Sequence, residues 1–348
     1  MLGVLTKLAT VAAVIALALA LGACGDDDSG DDADARAELL AALSPEAFEG
    51  IESGTLDVGM EGEVEGEDAG KFTGSLTGPF DGEGQVDLTA KFEVDSDEAN
   101  FDFEGLLVAT TDNLYAGTGS DVYELGTERF RALEEISQQS GAVTNPGDLA
   151  QGFTASCRAQ IKTAGGDPSV CDEIDPADWV ASASDEGTEE VGGAETQLYK
   201  GEVDIGALFD DAIEIGKESV PPGQAQALDA FSQLGNVRDQ IEEVFKSASI
   251  EVNRGVDDGI TRRIAFSLEA EEEGETIDFG LDVTLNELNE PQTITAPQGA
   301  KPIESLRSRI PFFFHPLFDC FLNARTAADF NRCGAQAGGF GGAATAGV

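Results

Sequence analysis

Cys24 is the most informative reactive residue of this sequence, because it lies at the end of an N-terminal segment that has the pattern of a processing signal. Lys7 supplies a positive charge, an apolar run extends from Leu8 to Leu21, and the small residues Gly22-Ala23 precede the cysteine. Gly25-Asp26-Asp27-Asp28 follows it. A short apolar segment that ends in small residues indicates a secretory signal peptide rather than a membrane-spanning helix. Cys24 then stands at the cleavage point.

The segment Leu21-Gly22-Ala23-Cys24 resembles the lipobox of bacterial lipoproteins. In that family the cysteine is linked through a thioether to diacylglycerol, and cleavage makes it the first residue of the mature chain. The resemblance implies that residues 1–23 are a lipoprotein signal peptide and that Cys24 is the lipid anchor on the extracytoplasmic face of the cell membrane. Two or three acyl chains hold a protein stably on a bilayer, whereas one does not. The alternative is an ordinary signal peptide followed by an unmodified cysteine.

Four further cysteines suggest disulfides, because an even number of cysteines in an exported chain is typical of them. They are Cys157, Cys171, Cys320 and Cys333, which allow three pairings. Short separations favour Cys157–Cys171 and Cys320–Cys333. Zinc is the other possibility, but the spacings are long and no histidine lies among them.

The charge of the chain excludes one class of partner. The formal net charge is −47, from 67 acidic and 20 basic residues. Such a surface repels nucleic-acid phosphates and anionic lipid headgroups. We therefore expect no nucleic-acid binding, and a folded body that stands away from the membrane while Cys24 holds it there.

Catalytic residues are scarce in the sequence. The single histidine, His315, lies between Phe314 and Pro316 and has no nucleophile near it in sequence. We find no phosphate-binding loop and no His-rich metal site. The sequence therefore predicts a non-enzyme with no catalytic residue, no cofactor and no metal.

Composition divides the chain into five regions. After the signal peptide comes lipidated Cys24 with an acidic flexible linker, residues 24–36, whose composition cannot form a packed core. A folded domain is expected over residues 37–290. An aromatic, disulfide-containing extension covers residues 291–334, and a Gly/Ala-rich tail covers residues 335–348. In the extension, Phe312–Phe314, Phe318 and Phe321 are interpreted first as packing under the disulfide, and second as a mouth or a membrane-contact surface.

Alternation of apolar and polar residues predicts antiparallel strands with one buried and one solvated face. Glycines interrupt several of these strands, which favours a curved sheet. Further strands are predicted near 113–117, 121–125, 188–203, 249–254, 260–270 and 275–286. The apolar positions of the first four strands are Leu56, Val58, Met60 and Val64; Phe72, Leu76 and Phe80; Val86, Leu88, Phe92 and Val94; and Phe101, Phe103 and Leu107.

Helices are predicted between and before these strands. The periodicity and capping residues place them at about 37–50, after Thr127, at about 147–163, after Asp175-Pro176, after Asp204, after Pro221-Pro222 and after Asn236.

This order of elements resembles the LppX/LprAFG lipoproteins of actinobacteria over roughly residues 40–290. The resemblance implies an α+β fold, a strongly curved antiparallel half-barrel with α-helices packed on its concave face, similar to LolA-type carriers. It also implies a lipid or lipoglycan ligand. The stretches that carry it are Asn113-Leu114-Tyr115, Val122-Tyr123-Glu124, Pro176-Ala177-Asp178-Trp179-Val180, Glu189-Glu190-Val191-Gly192-Gly193, Val203-Asp204-Ile205 and Asp257-Asp258-Gly259-Ile260-Thr261-Arg262-Arg263-Ile264.

A curved sheet with amphipathic helices as a lid can enclose an apolar cavity for an acyl chain. The same residues can equally form a solid core, in which case the protein is a tethered interaction or structural module of the cell envelope with an unknown protein partner. The residues predicted to line the cavity are Leu56, Val58, Met60, Phe72, Leu76, Phe80, Leu88, Phe92, Phe101, Phe103, Phe209, Ile213, Ile241, Phe245 and Phe266.

Overall fold

A twelve-stranded sheet organises the protein, and the strand β1, Ser53–Glu65, joins its two halves. In this computed structural model the described residues are 31–66, 69–96, 100–119, 121–140, 157–158, 161, 167–172, 174–219, 243–272, 274–308, 315–324, 326, 329 and 333. The order across the sheet is β12-β6-β5-β4-β3-β2-β1-β11-β10-β9-β8-β7, so the sheet is open. All neighbours pair antiparallel except β12 and β6, which pair parallel. The strands are β1 Ser53–Glu65, β2 Gly70–Asp81, β3 Val86–Ser96, β4 Asn100–Ala109, β5 Leu114–Thr118, β6 Asp121–Glu124, β7 Val180–Val191, β8 Ala194–Val203, β9 Phe245–Gly255, β10 Thr261–Glu272, β11 Glu275–Asn286 and β12 Lys301–Pro302.

The α-helices that lie within the described residues are α1 Asp31–Leu43, α2 Thr127–Ser140, α3 Ile205–Ser219 and α4 His315–Asn323. The prediction of a mostly antiparallel α+β fold is confirmed at this level. The predicted start of the first helix near residue 37 is wrong, since α1 begins at Asp31. The helices predicted after Pro221-Pro222 and Asn236, and most of the one predicted at 147–163, lie outside the described residues.

Helix α1 packs against β7, β8 and β9, and this contact forms the first core. Leu39 is fully buried and packs with Ile250 and Val252 of β9. Gly201 of β8 leaves room for it, because a Cβ there would lie 3.1 Å from the Leu39 Cδ1 atom. The Thr261 hydroxyl donates a hydrogen bond to the last-turn carbonyl of Ala42 at 2.5 Å. The end of the helix is thereby fixed to the sheet.

A second core surrounds Trp179 and the first disulfide. The structure forms the predicted Cys157–Cys171 bond, with Cα atoms 5.9 Å apart. Trp179 is 1% exposed and packs with Leu208 of α3 and with Ile161 in the same cluster. Asp175 caps the short 3₁₀ turn Pro176–Trp179, as its sequence predicted, by accepting the Ala177 N–H at 2.9 Å. Asp204 does the same for α3 by accepting the Ala207 N–H at 2.9 Å.

Arg129 joins the C-terminal extension to the sheet domain. Its guanidinium lies almost buried on α2 and donates to the carbonyl oxygens of Leu125 and Leu322, both at 2.8 Å, and to the Glu304 carboxylate at 2.5 Å. Strand β12 of the extension also pairs with β6 and covers that edge of the sheet.

The extension contains the second predicted disulfide, Cys320–Cys333, with Cα atoms 5.7 Å apart. Phe318 and Phe321, on α4, are half-buried. Residues 312–314 lie outside the described part of the chain, so the interpretation of the whole aromatic cluster stays a prediction.

Candidate functional site

The register of the sheet places the predicted apolar positions on one continuous face. Residues directly opposite each other in an antiparallel pair share a face. Val58 of β1 lies opposite both Leu76 of β2 and Val283 of β11, and Leu76 in turn lies opposite Ala90 of β3. Phe92 of β3 lies opposite Phe103 of β4. We call this surface, which continues over β9 and β10, the apolar face.

Five phenylalanines on the apolar face form a ladder that runs across the strands. Successive ring centroids lie 6.1 Å apart from Phe279 to Phe72 and from Phe72 to Phe92, and 6.5 Å apart from Phe92 to Phe101 and from Phe101 to Phe103. These distances are typical of favourable aromatic pairs. The aromatic ladder therefore connects the centre of the sheet with strand β4.

Gly62 allows the ladder to cross β1. It lies opposite Phe72 on one side and Phe279 on the other. A Cβ at this position would fall inside the van der Waals envelope of the Phe72 ring. Gly74 has a similar role on β2, where the Met60 side chain fills the space, with its Cγ 2.6 Å from a built Cβ. The glycines that suggested curvature in the sequence thus also give large neighbouring side chains room to lie over the strand.

The predicted lining residues differ in burial. Phe101 and Phe103 are 52% and 40% exposed, and Leu107 on the same face of β4 is 39% exposed. Phe80, Leu88 and Phe266 are buried, so these three contribute to packing. Ile241 lies outside the described residues. The half-buried lining residues are Leu56, Val58, Met60, Phe72, Leu76, Phe92, Phe209, Ile213 and Phe245.

Helix α3 carries two apolar stripes. Leu208 and Ile215 are buried in the core around Trp179. Ile205 packs against the sheet cluster formed by Ala248, Phe266, Leu268 and Phe279. Phe209 and Ile213 follow Ile205 at helical spacing and are half-buried. The second stripe therefore begins at the apolar face, next to the ladder.

Phe279 is the functional candidate that the predicted lining omits. It is buried and in ring contact with Phe72, so it forms the inner end of the ladder. Its alternation with Ile277 and Leu281 was visible in the sequence, but its position beside Phe72 depends on the pairing of β1 with both β2 and β11.

A groove of about 340 Å³ lies on the opposite, polar face. Its lining includes Glu61, Glu63, Ser267, Asp278 and Gly280. It involves none of the predicted lining residues, so an enclosed apolar cavity stays a prediction. Among the described residues no three His, Cys, Asp or Glu side chains are grouped so as to hold a metal ion. Over the same residues no helix is long and apolar enough to cross a membrane.

The turn between β9 and β10 and the start of β10 together contain residues 257–264, one of the sequence stretches that suggested the family, and their contacts explain why charged residues lie there. Arg262 donates to both carboxylate oxygens of Asp258, at 2.9 and 2.6 Å, and this hydrogen bonding lowers the pKa of Asp258. Arg254 contacts the Gly259 carbonyl at 3.0 Å and pairs with Glu38 of α1 at 2.8 Å. These residues connect the turn to the first helix, which is a structural role.

Asp211 provides an optical test of the core around Trp179. The indole Nε1–H donates to the Asp211 carboxylate at 2.6 Å. Partial burial raises the pKa of Asp211, and the hydrogen bond from Trp179 opposes this rise. A raised pKa in the folded protein stabilises the fold below the usual aspartate pKa, and that contribution is lost as pH rises through the raised pKa.

We expect the fluorescence of Trp179, the single tryptophan, to titrate with a midpoint above the usual aspartate pKa. Asp211→Asn keeps an acceptor for the indole and should abolish this transition. The exposed neighbour Asp210 supplies the matched control: Asp210→Asn should keep the transition but lower its midpoint, because the Asp210 charge contributes to the raised pKa of Asp211. A titration that is unchanged in Asp211→Asn would contradict the assignment.

Comparisons with known proteins return structural neighbours but no sequence relatives. No protein-family model matches the chain, and no curated protein matches it significantly. The solved structure of lipoprotein LppX from Mycobacterium tuberculosis is 15% identical, with 75% of this chain and 98% of that chain covered and a TM-score of 0.29. LprF from Mycobacterium bovis is 15% identical, with 78% and 100% covered and a TM-score of 0.35. A LolA superfamily protein from Nitrosomonas europaea is 9% identical, with 73% and 94% covered and a TM-score of 0.18.

The resemblance noted in the sequence is confirmed to the extent that LppX, LprF and a LolA superfamily protein are among the neighbours. Superposition at these TM-scores transfers neither a ligand nor a residue role.

Proposed function

We propose that this protein is a lipoprotein anchored through Cys24 on the extracytoplasmic face of the membrane, and that it binds, and can carry, an acyl chain of a lipid or lipoglycan. The observation that carries the proposal is the aromatic ladder on the apolar face. A row of contacting rings offers an acyl chain continuous apolar surface. Burial of apolar surface is worth roughly 25 cal/mol per Å², so a chain laid along several rings gains several kcal/mol.

The position of the helices supports this proposal. Helix α1 covers the apolar face over β7–β9, and the second stripe of α3 begins beside the ladder. Over β1–β3 the apolar face is mostly half-buried rather than closely covered. In the proposed complex the acyl chain lies between this part of the sheet and the Phe209–Ile213 stripe, with the helices on the concave side. The linker and the net charge of −47 keep the folded body away from anionic headgroups.

The proposal assigns no catalytic residue and no cofactor. The ligand is held by apolar contacts alone, and the carboxylates that dominate the sequence lie on the opposite face of the strands, as Glu61 and Glu63 do on β1. The lipid anchor and the lipid ligand are two different groups, and only the ligand should be removable by exchange.

The test measures lipid bound to the mature chain from Gly25, produced without its anchor. Native mass spectrometry and solvent extraction should find co-purified lipid. Phe92→Asp places a carboxylate in the middle of the ladder, and Ala90→Trp overfills the apolar face next to it. Each should lower the affinity for a fluorescent C16 fatty acid at least tenfold, which corresponds to about 1.4 kcal/mol.

Glu93→Ser is the matched control, because Glu93 is exposed on the polar face of the same strand. It should bind the fatty acid as the unmodified chain does. Circular dichroism and thermal unfolding establish that each variant is folded. If the purified chain carries no extractable lipid and folded Ala90→Trp binds the probe normally, the lipid proposal is wrong.

A tethered interaction module is the second candidate function. Its supporting observation is that Phe101, Phe103 and Leu107 all expose apolar side chains on one strand, which is typical of an interaction surface. Absence of lipid, together with a partner that is lost on substitution of Phe101 and Phe103, would favour this alternative over lipid carriage.

A further inference from the structure

Strand β4 extends beyond the strand that flanks it. Along its full length β4 pairs with β3, from Asn100 opposite Asp95 to Ala109 opposite Val86. On its other side β5 pairs only with residues 106–109. Residues 100–104 are all exposed. We call Asn100–Glu104 the β4 edge; over these residues the sheet as described has no strand on the β5 side.

The residues of the β4 edge whose backbone groups point away from β3 can be identified. The Thr110 N–H donates to the Asn113 carbonyl at 2.9 Å, so the N–H of residue 110 is directed to the β5 side. Backbone direction alternates along a strand. The N–H and C=O groups of Asp102 and Glu104 therefore also point to the β5 side, while those of Phe101 and Phe103 point to β3. A strand added here would find two donors and two acceptors in ladder geometry.

The side chains beside the β4 edge have a defined chemistry on each face. On the apolar face, Phe101 and Phe103 are stacked with their ring planes 7° apart, and both are exposed. On the polar face Asp102 and Glu104 are exposed, and Glu93 lies opposite Asp102 on β3. One side of the edge is thus aromatic and the other acidic.

We propose that the β4 edge binds an extended segment of a partner protein in which apolar and basic residues alternate. The segment adds as a strand in line with β5, since main-chain hydrogen bonds to a sheet edge are a general mode of peptide recognition. Its apolar side chains then pack against Phe101 and Phe103, and its Lys or Arg side chains lie beside Asp102 and Glu104.

Charge decides between this occupant and a second copy of the chain. Two copies paired through their β4 edges bring Asp102 and Glu104 of one molecule against the same carboxylates of the other. Like charges directly across strands are destabilising, and each copy carries a net charge of −47. A basic segment removes this repulsion. The proposal does not depend on lipid binding, because it uses the strand edge and the outer end of the ladder only.

The test uses the mature chain from Gly25 and a fluorescein-labelled peptide of eight residues, alternating lysine and valine. A control peptide contains the same residues with all lysines in one block. Fluorescence anisotropy at physiological ionic strength should show binding of the alternating peptide at least tenfold tighter than binding of the control. Equal binding of the two peptides would mean that only net charge is recognised, and would overturn the proposal.

Glu104→Pro removes an outward N–H without removing a hydrogen bond to β3, and prolines are tolerated on edges of this kind. It should weaken binding of the alternating peptide at least tenfold. The matched control Glu104→Gln removes the charge but keeps the N–H, and should weaken binding only two- to threefold. Normal thermal unfolding shows that the proline variant is folded, and Asp102→Pro replaces it if it is not.

Normal peptide binding by a folded proline variant would overturn the proposal. The same holds if sedimentation shows that the unmodified chain dimerises and that Glu104→Pro makes it monomeric, because the occupant would then be a second copy. Fatty-acid binding should be unchanged in Glu104→Pro, which separates this site from the proposed lipid site.

Discussion

Replacing Trp179 by alanine should lower the free energy of unfolding by about 4 kcal/mol. The side chain is 1% exposed and packs against the Cys157–Cys171 disulfide and Leu208. Large-to-small changes of buried aromatics cost roughly 3–5 kcal/mol, because the cavity closes only partly. Asp211 also loses its indole donor. Urea unfolding followed by circular dichroism measures the change.

Two controls separate packing from hydrogen bonding at this position. Trp179→Phe keeps most of the ring volume but removes the N–H, and we expect a loss of about 1–2 kcal/mol. Phe101→Ala truncates a ring that is 52% exposed and should cost less than about 1 kcal/mol. A Trp179→Ala variant as stable as Phe101→Ala would show that the second core contributes little to the fold.

Replacing Arg129 by methionine should release the C-terminal extension and lower the free energy of unfolding by about 3–6 kcal/mol. The substitution removes this donor from the Leu125 and Leu322 carbonyls and removes one partner of Glu304. Loss of hydrogen bonds to a charged, nearly buried group costs about 1.5–3 kcal/mol each, and the exposure of Glu304 reduces its share.

Limited trypsin digestion detects the release, since the bond after Arg307, which lies in the 3₁₀ turn Ile303–Ser308, should be cleaved faster when the extension leaves the sheet. Arg131 supplies the matched control, because it is an exposed arginine on the same helix. Arg131→Met should leave both the stability and the digestion rate unchanged. Equal digestion of the Arg129 and Arg131 variants would mean that β12 and α4 dock without the guanidinium.

Local patterns in the sequence were sufficient to predict most of the strands and the starts of two helical segments. Alternation placed the apolar residues of β1–β4 on one face because the side-chain period of a strand is fixed by backbone geometry. The positions of Asp175 and Asp204 predicted where the 3₁₀ turn and helix α3 begin, because an aspartate carboxylate accepts hydrogen bonds from the first free backbone N–H groups of a helix. The two disulfides followed from short separations between cysteines.

Long-range neighbours could not be predicted in the same way. The alternation of apolar residues in β11 does not indicate that this strand pairs with β1. The contact of Phe72 with Phe279 across Gly62 therefore could not be predicted from the sequence. The role of Arg129 depends on an acceptor 193 residues further along the chain. The start of α1 at Asp31 was missed because an acidic composition favours a flexible linker, whereas packing of Leu39 against β9 favours the helix.

The pairing of β1 with β11 has a consequence for the order in which the chain folds. Strands β1–β6 form one local meander and β7–β11 another, but β1 meets β11 only after more than 200 residues of intervening chain. Contacts of such high separation form slowly, because loop closure must precede them. Because synthesis proceeds from the N-terminus, β1 is made early, and its edge on the β11 side stays unpaired until Glu275–Asn286 has been made. This interval is when the chain is most prone to aggregate, and the many carboxylates of the early strands keep neighbouring chains apart until the two halves meet.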